Sequence, residues 1–248
     1  MAQTTVKIRL YVAADLGEDR EISLDRDQAH YLFAVMRQSV GRHLLLFNGR
    51  DGEWLAEVVE SAKRGGRLRT VEQLHAQTMP PDLWLAFAPL KKARTDFVAE
   101  KACEMGCRRL VPVFTRHTNS ERINLDRLRA HAVEAAEQCG LLSVPEMADA
   151  MPLDGFLRKL GERWLMFCDE SGSAPPAREA LRGAGPGPWA VLIGPEGGFD
   201  PAEAARLRAL PNAVPVSLGP RILRADTAAV AALALWQSVL GDWGETPG

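Results

Sequence analysis

Cysteine is scarce and scattered in this chain of 248 residues. Cys103, Cys107, Cys139 and Cys168 form no Cys-x-x-Cys pair, so neither a disulfide framework nor a zinc ribbon is expected. Cys103 and Cys107 read as small buried hydrophobes on one helix face. The histidines, His30, His43, His75, His117 and His131, are equally dispersed, and no metal is expected. No apolar run reaches membrane-spanning length before a charge interrupts it, and the N-terminus lacks the apolar core of a signal peptide. A cytoplasmic protein without a membrane partner is expected. The Gly-x-x-x-x-Gly-Lys-[Ser/Thr] phosphate loop and the Gly-x-Gly-x-x-Gly dinucleotide fingerprint are both missing.

Neither sign of charge predominates, with 30 Lys and Arg against 32 Asp and Glu. The net charge of −2 argues against a nonspecific polyanion binder, but its distribution is uneven. Residues 80–122 carry eight basic and five acidic side chains, against eleven and sixteen in residues 123–248. Basic clusters stand at Lys63-Arg64-Gly65-Gly66-Arg67-Leu68-Arg69, at Lys91-Lys92-Ala93-Arg94, and at Arg108-Arg109 with Arg116 and Arg122. Each has the form of a phosphate footprint or of an ordinary solvated surface.

What is present is ordinary globular material, 46% hydrophobic and 25% charged, enough for one large or two modest domains. The first 75 or so residues read as mainly β. Arg9-Leu10-Tyr11-Val12 is a short apolar strand, Leu44 to Phe47 ends in an Asn48-Gly49 turn, and Glu53 to Glu60 returns as its partner. A helix from an Asp25-Gln28 capping box to Met36 interrupts them. Met79-Pro80-Pro81 is the best linker, and after it strands alternate with helices, which predicts a parallel α/β sheet. The strands expected are Leu83 to Ala88, Leu110 to Phe114, Trp164 to Cys168, Ala190 to Ile193 and Val214 to Ser217. Helices are expected from about Asp96 to Gly106, Asn124 to Cys139 and Ala225 to Leu240, with another starting at Asp200-Pro201.

Two turns near the C-terminus are the most informative. Val191-Leu192-Ile193-Gly194-Pro195-Glu196-Gly197-Gly198-Phe199 and Val216-Ser217-Leu218-Gly219-Pro220-Arg221-Ile222-Leu223-Arg224-Ala225-Asp226-Thr227-Ala228 each run from a buried strand into glycine and proline, then a helix. Backbone amides there can approach a ligand with no Cβ in the way. With His30-Tyr31-Leu32, Val35-Met36-Arg37, Phe47-Asn48-Gly49, Lys101 to Gly106, Glu137-Gln138 and Val144-Pro145-Glu146 in the same order, the chain resembles the bacterial 16S ribosomal RNA uridine-N3 methyltransferases of the SPOUT superfamily.

The resemblance implies a PUA-like small β-barrel over residues 1–76 that grips RNA. For residues 80–248 it implies a SPOUT-type α/β domain with a trefoil knot, which binds S-adenosylmethionine and forms a homodimer. The implied reaction is methylation of N3 of one uridine in 16S ribosomal RNA, on the small ribosomal subunit. The cofactor would be held by Cys168 at one strand end, by Ile193, Gly194, Pro195, Glu196, Gly197 and Gly198 on the first turn, and by Leu218, Gly219, Ile222, Leu223 and Ala225 on the second. RNA contacts are expected from Arg9, His30, Arg37, Lys63, Arg64, Arg67, Arg69, Lys91, Lys92 and Arg94.

Uridine N3 carries a proton and is a poor nucleophile until it leaves, so an arginine directed at a uracil carbonyl would help. Arg224 is the first candidate for that role and Arg221 the second. Asp226 and Glu196 are the candidate proton acceptors, although an Asp at a helix start also simply favours the helix dipole. Two departures from the family pattern stand out: Asp226 replaces the usual glutamate, and Gly140-Leu141-Leu142 lacks an arginine that relatives carry. A SPOUT enzyme acting on another RNA and a noncatalytic ribosome-assembly module are the alternatives.

Overall fold

The structure is a computed structural model and describes residues 6–62, 64–120, 122–169 and 171–244. The chain divides into two units, Met1–Met79 with Ala136–Val144, and Pro80–Ala135 with Pro145–Gly248. The backbone therefore passes between units at three places, of which the Pro80-Pro81 linker marks one.

In the first unit, β1 (Arg9–Tyr11), β2 (Glu21–Leu24), β3 (His43–Phe47), β4 (Glu53–Ala62) and β5 (Gly65–His75) form one sheet in the order β1-β3-β4-β5-β2. β1 runs parallel to β3 and the other pairs are antiparallel. Among the described residues no pairing joins β1 to β2, so the expected barrel is an open sheet by its hydrogen bonds. The strands alternate: Leu44, Leu46, Ala56, Val58 and Leu68 point into a core with Ile22, Leu24 and Leu32. At the β3–β4 turn Asn48 Oδ1 accepts from the Arg50 and Asp51 amides, both at 2.9 Å, while Gly49 takes φ +82°.

The Asp25 capping box forms as expected, with Asp25 Oδ1 accepting from Gln28 N at 2.8 Å and Gln28 Oε1 from Asp25 N at 3.1 Å. Its helix α1 is short, Arg26–Ala29, and continues as a π-helical turn over His30–Val35.

The second unit is a parallel sheet. β6 (Leu83–Phe87), β7 (Arg109–Phe114), β8 (Glu146–Met147), β10 (Trp164–Cys168), β11 (Trp189–Ile193) and β12 (Ala213–Val216) lie in the order β12-β10-β11-β6-β7-β8, and β9 (Met151–Pro152) also pairs with β7. Successive residues of each strand enter opposite cores. Leu83, Leu85, Phe87, Met166, Trp189 and Val191 pack with α2 (Lys92–Glu104), α5 (Ala177–Arg182) and α7 (Ala225–Leu240). Ala86, Leu165, Phe167, Ala190 and Leu192 pack with α4 (Leu153–Leu160) and α6 (Pro201–Arg208). Helices thus cover both faces, as a parallel sheet requires. Helix α3 spans Leu125–Cys139.

Helix α2 begins at Lys92 rather than near Asp96 and ends before Gly106, so Cys107 lies outside it, although both Cys103 and Cys107 are buried. β2, β5, α4 and α5 were not foreseen from the sequence pattern, whereas the capping box over Asp200 and Glu203 starts α6 as expected.

Candidate functional site

β12, β10 and β11 lie side by side, with Cys168 opposite Val216 and Phe167 opposite Leu192. The turns leaving their carboxyl ends therefore meet, which is where open parallel sheets bind ligands. They enclose a cavity of about 370 Å³. Cavities of roughly 300–1,000 Å³ are the usual size of small-molecule sites.

The first turn supplies Ile193, Gly194, Pro195, Glu196 and Gly198 to its wall, and the second supplies Leu218, Gly219, Ile222, Leu223 and Ala225. Cys168 lies in the wall as well. Gly197 is not in the wall; its Cα faces His117, whose Cβ would lie 3.4 Å from an added Cβ. A hydrogen bond from Gly198 N to Pro195 O at 3.0 Å closes the first turn, with Gly198 at φ +70°. The two key glycines differ in cause. A Cβ on Gly194 would stand 2.6 Å from the ring of Phe199, whereas one on Gly219, at φ +107°, would meet nothing within 4 Å. Gly194 is thus required by packing and Gly219 by backbone conformation.

Burial pushes the Cys168 thiol up to about 12, which leaves it a neutral wall group at physiological pH. The next residue, Asp169, lies in the wall with a side chain only 4% exposed. Arg208 grips it with both ends, Nε to Oδ2 at 2.7 Å and Nη2 to Oδ1 at 2.9 Å, and Ser171 N donates to Oδ1 at 2.9 Å. The Arg208 hydrogen bonds hold the Asp169 carboxyl below the usual carboxylate range against the opposing effect of burial. Nothing local in the sequence singles out Arg208.

Arg221 and Arg224 both line the cavity and are exposed. Arg224 is the N-cap residue of α7, and neither guanidinium has an ion-pair partner among the described residues. Asp226, the third catalytic candidate, is not in the cavity wall; its Oδ1 accepts from Thr227 N at 2.9 Å and its Oδ2 lies 3.6 Å from Arg94 Nε.

Arg94 has acidic partners within the protein. It was expected on RNA, yet it donates to the Glu196 carboxylate as well as approaching Asp226, so α2, the first turn and the start of α7 meet at one guanidinium. A second strap was not foreseen. After β7, Arg116 N donates to Glu203 at 3.0 Å, Arg116 Nη1 pairs with Asp200 at 3.1 Å, and His117 Nδ1 lies 3.3 and 3.2 Å from the Gly197 and Gly198 carbonyls.

A wider cleft, about 1270 Å³, adjoins the cavity. Lys91 and Lys92 line it with Asn119, Ser120 and Arg122, and it shares Pro195 and Glu196 with the smaller cavity.

In the first unit, His30 and Arg64 line one hollow of about 760 Å³ with Arg26 and Phe33, and Arg37 is exposed at φ +53°. Arg67 and Arg69 are held by acids, Arg67 by Glu60 at 2.6 Å and Glu21 at 3.0 Å, Arg69 by Glu21 at 3.2 Å. Lys63 lies outside the described residues. Arg9 is mostly buried: its side chain is 10% exposed and pairs with Glu53 at 2.7 Å. Its remaining donors reach Ala136 O at 2.6 Å and Leu141 O at 2.8 Å, and the guanidinium sits 4.5 Å from the centre of the Phe47 ring.

Comparison with known proteins agrees with this architecture. Residues 77–237 match the RNA methyltransferase domain family and residues 24–70 the RNA methyltransferase PUA domain family. The ribosomal RNA small subunit methyltransferase E of Rickettsia conorii is 31% identical over 227 residues, covering 91% of this chain and 93% of that protein. Its counterpart in Synechocystis is 29% identical over 238 residues, covering 94% and 78%. A Legionella pneumophila protein described as a methyltransferase, solved with its cofactor SAM bound, superposes with a TM-score of 0.86 at 29% identity over 95% of this chain and 99% of its own. The methyltransferase E of Neisseria gonorrhoeae, bound to S-adenosyl methionine, shares the fold with a TM-score of 0.83 at 22% identity, covering 95% and 99%. By the match to the catalytic domain over most of the chain and the identity to the Rickettsia protein along nearly its whole length, this chain belongs to the ribosomal RNA small subunit methyltransferase E family.

Proposed function

We propose that the chain binds S-adenosylmethionine in the cavity beside β10–β12 and methylates N3 of uridine 1498 of 16S ribosomal RNA, acting on the small ribosomal subunit as a cytoplasmic homodimer. The observation that carries this reading is the convergence of both glycine turns on one cavity of small-molecule size, with two arginines in its wall that have no ion-pair partner among the described residues. The open space over Gly219 fits a ligand lying against the backbone, and the mostly apolar strand ends fit an adenosine. A trefoil knot in residues 80–248 belongs to the same reading. It is supported by the segment before α5 lying along the end of β12, with Ser217 N donating to Pro175 O at 2.8 Å and Ala177 N to Ser217 O at 3.1 Å.

When bound, the cofactor supplies an electrophilic methyl group already activated by the positive sulfonium. The chain's own residues must then position uridine and favour its anion. Arg224, exposed in the cavity wall, directs its planar fork at a uracil carbonyl and stabilises the charge that grows there as N3 loses its proton. Arg221 stands beside it as the second cation. Glu196 reaches the junction of cavity and cleft and takes the proton, while Asp226, outside the wall, braces Arg94. Labelled methyl transfer to small subunits from cells lacking the activity tests the reading, and Arg224→Lys tests the role: kcat falls strongly, cofactor affinity stays, and the deficit shrinks as pH rises. A deficit that ignores pH and comes with weaker cofactor binding removes Arg224 from catalysis.

A further inference from the structure

An RNA substrate has to reach the cofactor cavity from one side of the second unit. The cofactor cavity is too small for a polymer, and among the described residues its wall shares Pro195 and Glu196 with the much larger cleft. At about 1270 Å³ the cleft exceeds the usual range for small-molecule sites, which is roughly 300–1,000 Å³. The cleft is lined by the cations Lys91, Lys92, Arg122 and Arg127 and by the acids Asp96, Asp126 and Glu196, of which Asp126 is exposed. Arg127 is paired to Asp96, and Glu196 to Arg94. Lys91, Lys92 and Arg122 are exposed, and no ion pair reaches their side chains among the described residues. The cleft therefore presents three cations without an ion pair among the described residues against one such acid, Asp126, and a paired carboxylate, Glu196, that it shares with the cofactor cavity.

We infer that this cleft receives the single-stranded stretch of RNA that carries the target uridine, with Lys91, Lys92 and Arg122 on its phosphates, and that the base crosses at Pro195 and Glu196 to reach the methyl group. The inference rests on the methyltransferase reading and adds to it the entry side and the phosphate contacts. It also separates Arg94 from its neighbours in sequence: Lys91 and Lys92 bind RNA, whereas Arg94 is spent on Glu196 and Asp226. Cations that meet phosphate displace condensed counterions, so each contact adds to the salt dependence of binding, by about 0.7 in the log–log slope for a single strand.

The test uses the full-length protein and a fluorescein-labelled single-stranded RNA of the target sequence, with anisotropy read over a range of salt concentrations. Lys91→Glu with Lys92→Glu is expected to raise the dissociation constant by about tenfold or more at low salt and to cut the slope by about 1.4, two phosphate contacts' worth. Calorimetric affinity for S-adenosylmethionine should not change. Arg122→Ala is expected to cut the slope by about half as much. Wild-type affinity and slope in the double variant, with cofactor binding intact, overturn the cleft assignment and leave the methyltransferase reading standing. A wild-type protein that binds no S-adenosylmethionine overturns that reading, and the entry side with it.

Discussion

Arg94, in the first turn of α2, donates a hydrogen bond to the Glu196 carboxylate on the turn after β11, 102 residues further along the chain. The same guanidinium lies 3.6 Å from Asp226. Glu196 is part of both the cofactor cavity and the adjoining cleft, so this pair fixes the wall they share.

Removing that contact should therefore be felt in the cofactor site before the fold. Glu196 is 41% exposed, and ion pairs so placed contribute about 0–1 kcal/mol to stability. Arg94→Ala is expected to leave Tm nearly unchanged while weakening S-adenosylmethionine severalfold in calorimetry, with the salt slope of RNA binding untouched. A lowered RNA slope at unchanged cofactor affinity would return Arg94 to the phosphate contacts.

The two turn glycines should fail in different ways. Gly194→Ala forces a methyl against Phe199, and such overpacking costs about 1–3 kcal/mol. Adding Phe199→Leu removes two of the three clashing ring atoms and should recover much of the lost Tm. Gly219→Ala has no clash to relieve, only a backbone conformation at φ +107° that costs of order 1–3 kcal/mol for a residue with a side chain. Phe199→Leu should not rescue it. Equal rescue of both variants would show that the distinction is wrong.

Arg9 is expected to behave as a fold residue. Its partner Glu53 is 7% exposed, and removing one member of a buried ion pair costs about 3–5 kcal/mol because the other charge is left behind. Arg9→Ala should lose stability of that order in urea unfolding, and Glu53→Gln in the same chain should restore part of it. A stable Arg9→Ala protein with weakened RNA binding would place Arg9 on the substrate instead.

The Asp169 and Arg208 pair makes stability depend on acid. The folded carboxyl titrates below its ordinary value, so its contribution is complete above the unfolded value of 3.8 and is lost as pH falls through the folded one. Hydrogen bonds to a charged group contribute about 1.5–3 kcal/mol, and Asp169→Asn should cost about that much at pH 7. In unfolding curves the gap between the two proteins should close as pH drops below the ordinary carboxylate range. A gap of constant size would show that the charge of Asp169 is not what Arg208 stabilises.

How much of this was legible in the sequence depended on range. The α6 start was readable because Asp200, Pro201 and Glu203 act within one turn. The glycine turns were readable because strand, turn and helix follow one another locally, and eleven of the twelve residues expected to hold a cofactor line one cavity. β5 was hidden because Arg67 and Arg69 on its outer face dominate a stretch whose inward residues, Leu68 and Thr70, are the structural signal. Arg9 and Arg94 look like their basic neighbours, and only partners 44 and 102 residues away make one a core residue and the other a brace. The division of α3 between units could not be seen in any local pattern.

The central claim is the chemistry at one atom of one base. Small subunits from cells lacking the activity, incubated with this protein and S-adenosylmethionine, should gain a methyl group that stops reverse transcriptase at a single uridine of 16S RNA, because a methyl at N3 blocks the pairing edge. Mass analysis of the digested RNA should identify that nucleoside as 3-methyluridine, and Arg224→Lys should slow its appearance. Methyl groups appearing only in transfer RNA, or on a ribose or a carbon of the base, would contradict the account.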